Sequence, residues 1–396
     1  MIRPTHLDAA PSGRVHRAGL SIVSLFSGVG GFELGLERVG HKACLLCEVD
    51  PVASSVLKQR FPGTQLISDV SDLASLPAET DLVCAGFPCQ NLSMAGDKRG
   101  IAGPKSSLVD QVFRLFDAQE VPWVLLENVY FMLHLDGGKA MEHIIGNLER
   151  RGMRWAYRVL NTRGFGLPQR RRRVFLIASR DRDPREVILS DDGMAWKEPA
   201  IVSLDLPIGF YWTEGRSGVG LTLDAIPPLK NGSGLGIPSA PAVLFPDGLV
   251  ETPTIQEAER LQGFPADWTA AAENINGRLR WRLLGNAVSV PIAEWIGRKL
   301  AEPRAYDSSM DKQLLPGEPW PPAAWGNGNG RFRSTVSQDP LGLISSLNSF
   351  AFRPWKPLSA RALKGFISRA ESSRLKFPSG FLDALRRRLS REQVSL

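Results

Sequence analysis

Between Ile22 and Val129, short apolar runs alternate with stretches of helical periodicity, and this alternation constrains the fold more than any other feature of the chain. The runs are Ile22-Val23-Ser24-Leu25-Phe26, Ala43 to Cys47, Leu66-Ile67, Asp81-Leu82-Val83-Cys84 and Trp123-Val124-Leu125-Leu126. Between them, Phe32, Leu36 and Val39 mark a helix stopped at Gly40, Pro51 opens a second helix, and Leu108 to Phe116 reads as a third. Proline suits a first helical turn, where its missing N–H would have no partner. Strands alternating with helices build right-handed βαβ units and a mostly parallel sheet. Open sheets of that kind bind ligands beyond the carboxyl ends of their strands, so the residues that end each run matter most.

Those ends carry the chemistry. The first run turns into a helix through Ser27-Gly28-Val29-Gly30-Gly31. Such glycines let a ligand approach the backbone at the positive end of a helix. The spacing is GxGG rather than GxGxxG, so a pyrophosphate is not specifically called for. Glu48 ends the second run, at the distance where an acid meets a ribose, and Asp69 ends the third. Glycines and acid together point to a nucleoside-containing cofactor. The plainer alternative is a tight turn beside a surface glutamate.

The fourth run leads into Ala85-Gly86-Phe87-Pro88-Cys89-Gln90, followed by Asn91 to Ser107, a segment rich in Gly, Ser and Lys. A thiol thus stands where a strand gives way to a loop. Free cysteine is commonly an inert core residue; a nucleophilic role needs access and a lowered pKa. Glu127 ends the fifth run, on the same sheet edge as Cys89. Farther on, Tyr157 to Leu160 and Val174 to Ile177 read as paired strands, with Gly164 to Gln169 and then Arg170 to Arg173 between them. Strand alternation sets Arg171 and Arg173 on one face and Arg170 and Arg172 on the other. One pair can then meet an anion while the other is solvated; a wholly solvated basic run is the alternative.

Periodicity vanishes after that point. Residues 182–251 are rich in Gly and Pro, and regular order returns with a helix at Thr254 to Leu261 and a last one at Ile292 to Leu300. Pro319-Trp-Pro-Pro and Gly326-Asn-Gly-Asn-Gly330 read as linker. Two amphipathic helices follow, one with Leu363, Phe366, Ile367 and Ala370 on one face and Ser359 as N-cap, the other with Phe381, Leu382, Leu385 and Leu389. The expected layout is a disordered lead-in at 1–20, an α/β body at 21–181 and 252–301, a loop-rich insert at 182–251, a linker at 302–330 and a basic helical extension at 331–396. That extension carries 13 Lys and Arg against 4 Asp and Glu in a chain of net charge +7, so the remainder is slightly acidic. A basic tail on a near-neutral body suggests contact with a polyanion, or else a solvated helix pair. Four cysteines argue against a disulfide framework. Cys44 and Cys47 form a CxxC pair without a second pair at zinc spacing, so they read as strand residues rather than metal ligands. No secretion signal or membrane span is expected, and a cytoplasmic location fits this composition.

Taken in order, Phe26-Ser-Gly-Val-Gly-Gly31, Glu48, Asp69, Gly86-Phe-Pro-Cys-Gln90, Glu127-Asn-Val129, Gln169-Arg-Arg-Arg-Arg173, Arg260-Leu-Gln-Gly-Phe-Pro265 and Gly285-Asn-Ala-Val288 closely resemble the motifs of the DNA (cytosine-5) methyltransferases. Each motif alone is common; their joint order is specific. The resemblance spans about residues 21–180 and 252–300. It implies an α/β, doubly wound, Rossmann-like sheet that binds S-adenosyl-L-methionine, a small inserted target-recognition domain at 182–251, and a C-terminal helical extension outside the shared motifs. It implies that Cys89 attacks carbon 6 of a flipped-out cytosine, that Glu127 holds and protonates ring nitrogen 3, and that Arg171 and Arg173 hold the base. By the same resemblance Phe26 stacks on the cofactor's adenine, Glu48 binds its ribose and Asp69 its exocyclic amine. Gly28, Gly30, Gly31, Pro88 and Asn286 complete that pocket, with no metal. The expected partner is double-stranded DNA, met by a monomeric modification enzyme with a cognate restriction endonuclease acting separately. A tRNA cytosine-5 methyltransferase and a catalytically silent DNA-binding relative are the alternatives.

Overall fold

The computed structural model describes residues 19–87, 107–194, 197, 203–216, 218–230, 240–272 and 277–394. The expected lead-in therefore lies largely outside the described residues. Five strands run parallel as the alternation predicts: β1 (Ser21–Leu25), β2 (Lys42–Cys47), β3 (Gln65–Ile67), β4 (Leu82–Ala85) and β5 (Trp123–Val129). Their spatial order is β3-β2-β1-β4-β5, so the winding reverses between β1 and β4. That reversal opens a crevice at the carboxyl edge. Asp50 caps the helix Pro51–Arg60 by accepting from Val52 N at 2.8 Å, with proline in the first turn as expected.

Next come β6 (Arg154–Asn161) and β7 (Arg172–Ser179), a long antiparallel pair in which β7 also runs antiparallel to β5. The parallel half of the sheet thus continues as an antiparallel half, which the alternation upstream did not announce. One face of the sheet is covered by the helices Ser107–Ala118 and Lys139–Arg150, the other by Gly31–Glu37 and Val290–Ala301. The last two cross closely at Gly35, where a Cβ would come within 2.6 Å of Ala293. The returning C-terminal helix is locked to the first one by that contact.

The remaining chain departs from the expected layout in four places. Val187, Ile188 and Leu189 are fully buried in the core of the body, which therefore runs past residue 181. Beyond it, β8 (Ile208–Phe210), β9 (Thr222–Leu223), β10 (Ala242–Leu244) and β11 (Val250–Thr252) form a small antiparallel sheet rather than loops alone. Residues 302–330 are not a free linker: β12 (Lys312–Gln313) and β13 (Ala323–Gly326) belong to the large sheet, and β13 pairs with β6. Gly and Pro masked the anchors here, since Trp320 and Trp325 are both buried. Finally, the extension is no appendage. Its β14 (Arg331–Arg333) pairs with β12 and β13, while β15 (Lys356–Pro357) adds to β11 of the small sheet. The helices Ala360–Glu371 and Phe381–Val394 bury the predicted apolar faces against that small sheet, and Ser359 caps the first of them. Among the described residues no helix is long and apolar enough to cross a membrane.

Candidate active site

The carboxyl edge of the parallel strands opens into a cleft of about 450 Å³. Phe26, at the end of β1, holds a left-handed φ of 59°, an uncommon conformation for a bulky residue and a frequent mark of a working site. Gly28 follows at φ 58°, and a Cβ there would meet open space within the cleft. Its N–H donates to Glu48 Oε2 at 2.7 Å, and Asp50 N donates to Oε1 at 2.8 Å. Two backbone donors thus orient the Glu48 carboxylate on the cleft wall. Burial nonetheless raises its pKa. Asp69 lines the same wall, with its Oδ1 accepting from Ser71 N at 2.8 Å; that turn, through the Ser71 side chain first, lowers its pKa. Leu283, Gly285 and Asn286 line the cleft as well.

Gly30 and Gly31 do not line the cleft. Each lacks a side chain for a packing reason: a Cβ on Gly30 would strike the Phe61 ring at 2.4 Å, and one on Gly31 the Val288 carbonyl at 2.6 Å. Of the three glycines in this turn, Gly28 is the one that lines the cavity. Cys44 and Cys47 are strand residues, as expected, and no group of metal-ligating side chains occurs among the described residues.

At the other end of the same cleft stands Glu127, 9% exposed, with Arg173 Nε 3.2 Å from Oε1. Burial raises the Glu127 pKa, and the Arg173 and Arg171 charges only partly pull it back. Arg171 is 1% exposed and donates to three carbonyls: Leu229 at 3.3 Å, Gly285 at 3.1 Å and Ala287 at 2.8 Å. Burial pushes its pKa down and Arg173 adds to this, while Glu127 opposes. A guanidinium keeps its charge because its ordinary value is so high. The split across the strand appears as predicted: Arg172 points away and stacks on Tyr130, 4.5 Å from the ring centre. Gln169 is wholly buried, with Nε2 on Leu261 O at 2.8 Å and Oε1 accepting from Leu229 N at 3.1 Å.

Cys89 and Pro88 lie outside the described residues. Phe87 and Gly86, which lead into them, line the cleft. Asn128 donates to Phe87 O at 3.1 Å and so pins the root of that segment to the strand carrying Glu127. The sequence reading gave Asn128 no role of its own. Its signal was present in the Glu127-Asn-Val129 motif, but the tie runs between two strands. A second residue it passed over is Val49, 71% exposed on the cleft wall beside Glu48.

A doubly wound sheet whose carboxyl edge opens into a cleft, with oriented acids toward one end and a buried acid–guanidinium pair toward the other, has the form of an α/β enzyme with a ligand-binding crevice. The chain belongs to the C-5 cytosine-specific DNA methylase family, whose model matches residues 20–203 and 250–302. It is a DNA (cytosine-5) methyltransferase. The Type II methyltransferase M2.BsuMI of Bacillus subtilis (strain 168) is 45% identical over 382 residues, spanning 93% of this chain and 98% of that one. The Type II methyltransferase M.HaeII of Haemophilus aegyptius is 30% identical over 296 residues, 68% of this chain and 89% of its own length. Among solved structures, the Dnmt2 methyltransferase of S. pombe shares the fold, with a TM-score of 0.54 at 17% identity over 71% of this chain and 98% of that one.

Proposed function

We propose that the chain transfers a methyl group from S-adenosyl-L-methionine to carbon 5 of a flipped-out cytosine in a specific double-stranded DNA sequence, through a covalent Cys89–cytosine adduct. The observation that carries this reading is a single cleft with a nucleoside-type wall at one end and the Glu127–Arg173–Arg171 cluster at the other. Phe26, Glu48, Asp69 and Asn286 would hold the cofactor, and Gly28 leaves it room. When bound, the cofactor supplies an electrophilic methyl group on a sulfonium.

Carbon 5 of cytosine is a poor nucleophile until a thiolate adds at carbon 6. Cys89 forms that bond, and the electron pair moves toward carbon 5 and ring nitrogen 3. Glu127 delivers a proton to nitrogen 3 and so prevents charge from building on the ring. Its raised pKa keeps that proton available at a pH where an ordinary carboxyl has lost it. Arg173 orients the carboxyl, and Arg171 supplies positive charge to the pocket. Once carbon 5 is methylated, a solvent base takes its proton, the C5–H electron pair re-forms the C5=C6 double bond as the thiolate leaves carbon 6, and nitrogen 3 returns its proton to Glu127. A stacked base is out of reach of this geometry, so the cytosine must leave the duplex at a cost of a few kcal/mol.

A duplex carrying 5-fluorocytosine lacks the proton that must depart and should hold the enzyme covalently, with none of the adduct formed by Cys89→Ser. A wild-type protein that traps nothing overturns the covalent route. Bisulfite sequencing of DNA from expressing cells reads the target site, and labelled methyl transfer to tRNA tests the RNA alternative. As the modification partner of a Type II pair, the enzyme would act separately from its endonuclease.

The glycine offers a further check. Gly28→Ala places a side chain at φ 58°, costing on the order of 1 kcal/mol of stability, and fills space in the cleft. Calorimetry should show weakened S-adenosylmethionine binding with DNA affinity retained.

A further inference from the structure

Residues 345–394 lie beyond the family's shared region, and the fold puts them to a definite use. The small sheet is built from both segments, in the order β15-β11-β10-β8-β9. Its core joins Ile208, Phe210 and Leu244 of the insert to Phe366, Phe381 and Leu385 of the C-terminal helices. The Phe210 ring sits 4.8 Å from Phe366 and 5.4 Å from Phe381.

One residue carries this union toward the backbone that holds Arg171. Arg369, on the helix Ala360–Glu371, donates from Nη2 to Trp212 O at 2.7 Å and from Nε to Glu214 O at 3.1 Å. Gly215 has to be glycine there, since a Cβ would come within 2.9 Å of Arg369 Cβ at φ 145°. The clamped loop presents Glu214, whose carboxylate pairs with Lys230. Lys230 Nζ lies 3.6 Å above the Tyr211 ring, and the Tyr211 hydroxyl donates to Pro228 O at 2.6 Å. Next to Lys230, the Leu229 carbonyl accepts from Arg171 of the base pocket. A half-exposed ammonium thus stands beside the pocket, held in place from the C-terminal helix.

We propose that residues 345–394 form the second half of the DNA-recognition unit, and that Arg369 is a positioning residue that sets Lys230 for a DNA phosphate at the mouth of the base pocket. This rests on the reading of the insert as the DNA-recognising part. Lys230→Gln is expected to raise KM for unmethylated plasmid DNA and to lower the salt slope of DNA binding by about one. Arg369→Gln removes two charge-assisted bonds and should raise the same KM about tenfold, with KM for S-adenosylmethionine unchanged. Arg369→Lys, which keeps the charge but loses the fork, should fall between. The double variant should be no worse than the worse single one, because both act through one contact.

Additive effects, or a raised KM in Lys230→Gln alone, overturn the coupling. A lower melting temperature in Arg369→Gln and Arg369→Lys with KM for DNA unmoved makes Arg369 merely structural and also overturns it. If neither Lys230 nor Arg369 changes KM for DNA, the reading of the insert fails together with the proposal.

Discussion

Glu127→Gln is expected to lower kcat by about 10²–10⁴-fold, the usual worth of a general acid, while S-adenosylmethionine binding stays close to that of the parent. Glutamine keeps the size of the side chain and an oxygen for Arg173, but it has no proton to give. The effect should be accompanied by a changed pH profile. Burial raises the Glu127 pKa, and the Arg173 and Arg171 charges recover only part of the shift. Activity of the parent enzyme should therefore fall as pH rises through that raised value, and E127Q should lack this limb. The same shift has a consequence for stability. The folded state binds the proton more tightly than the unfolded chain, so the contribution is fully present below the ordinary carboxylate value and lost as pH rises through the folded one. Stopped turnover kinetics and calorimetric titration of the cofactor measure the two effects separately. Equal losses in kcat and cofactor binding would remove Glu127 from the proton-transfer role.

Truncation after residue 330 should be more damaging than loss of a basic tail. Removing 331–396 takes away β14, which joins β12 to β13 in the large sheet, β15 of the small one and the helices that cover its core. Leu363, Phe366, Phe381 and Leu385 are fully buried, and each such side chain is worth about 1.5–3 kcal/mol of transfer free energy. Their loss also exposes Phe210 and Leu244 of the insert. Trp355 and Arg353 further tie this segment to Glu257 and Glu251 by bonds of 3.0–3.3 Å. The truncated protein should aggregate or lose its cooperative melting transition, and DNA binding should vanish at every salt concentration. A soluble, cooperatively folded truncation with only a flatter salt dependence would mean that charge alone is the contribution of these residues.

The comparison between chain and fold is instructive at particular residues. Strand ends were legible because an apolar run that stops at a polar residue marks a position on the sheet edge without knowledge of its neighbours. Phe26, Glu48, Asp69 and Glu127 line one cleft for that reason, whereas Arg171, Arg173 and Asn286 reach it from the start of β7 and the end of the helix Gly277–Asn286. Gly30 and Gly31 were legible as glycines but not in purpose, since packing against Phe61 and Val288 depends on residues about 30 and 257 positions away in the chain. The layout after residue 300 was misread because Pro and Gly set local backbone preference, whereas Trp320 and Trp325 decide where the segment is buried. Composition reports the first and is silent on the second.

What the sequence determined by itself was the alternating α/β body, the sheet edge on which the cleft opens, and the family to which the chain belongs. Periodicity and local turn chemistry act over a few residues, and a linear pattern records them directly. Only the tertiary structure decided that the C-terminal helices and the insert share one core, that Arg369 reaches the loop behind Lys230, and that Glu127 is buried against Arg173. Those outcomes depend on burial and on contacts between distant segments, which no single stretch of chain encodes.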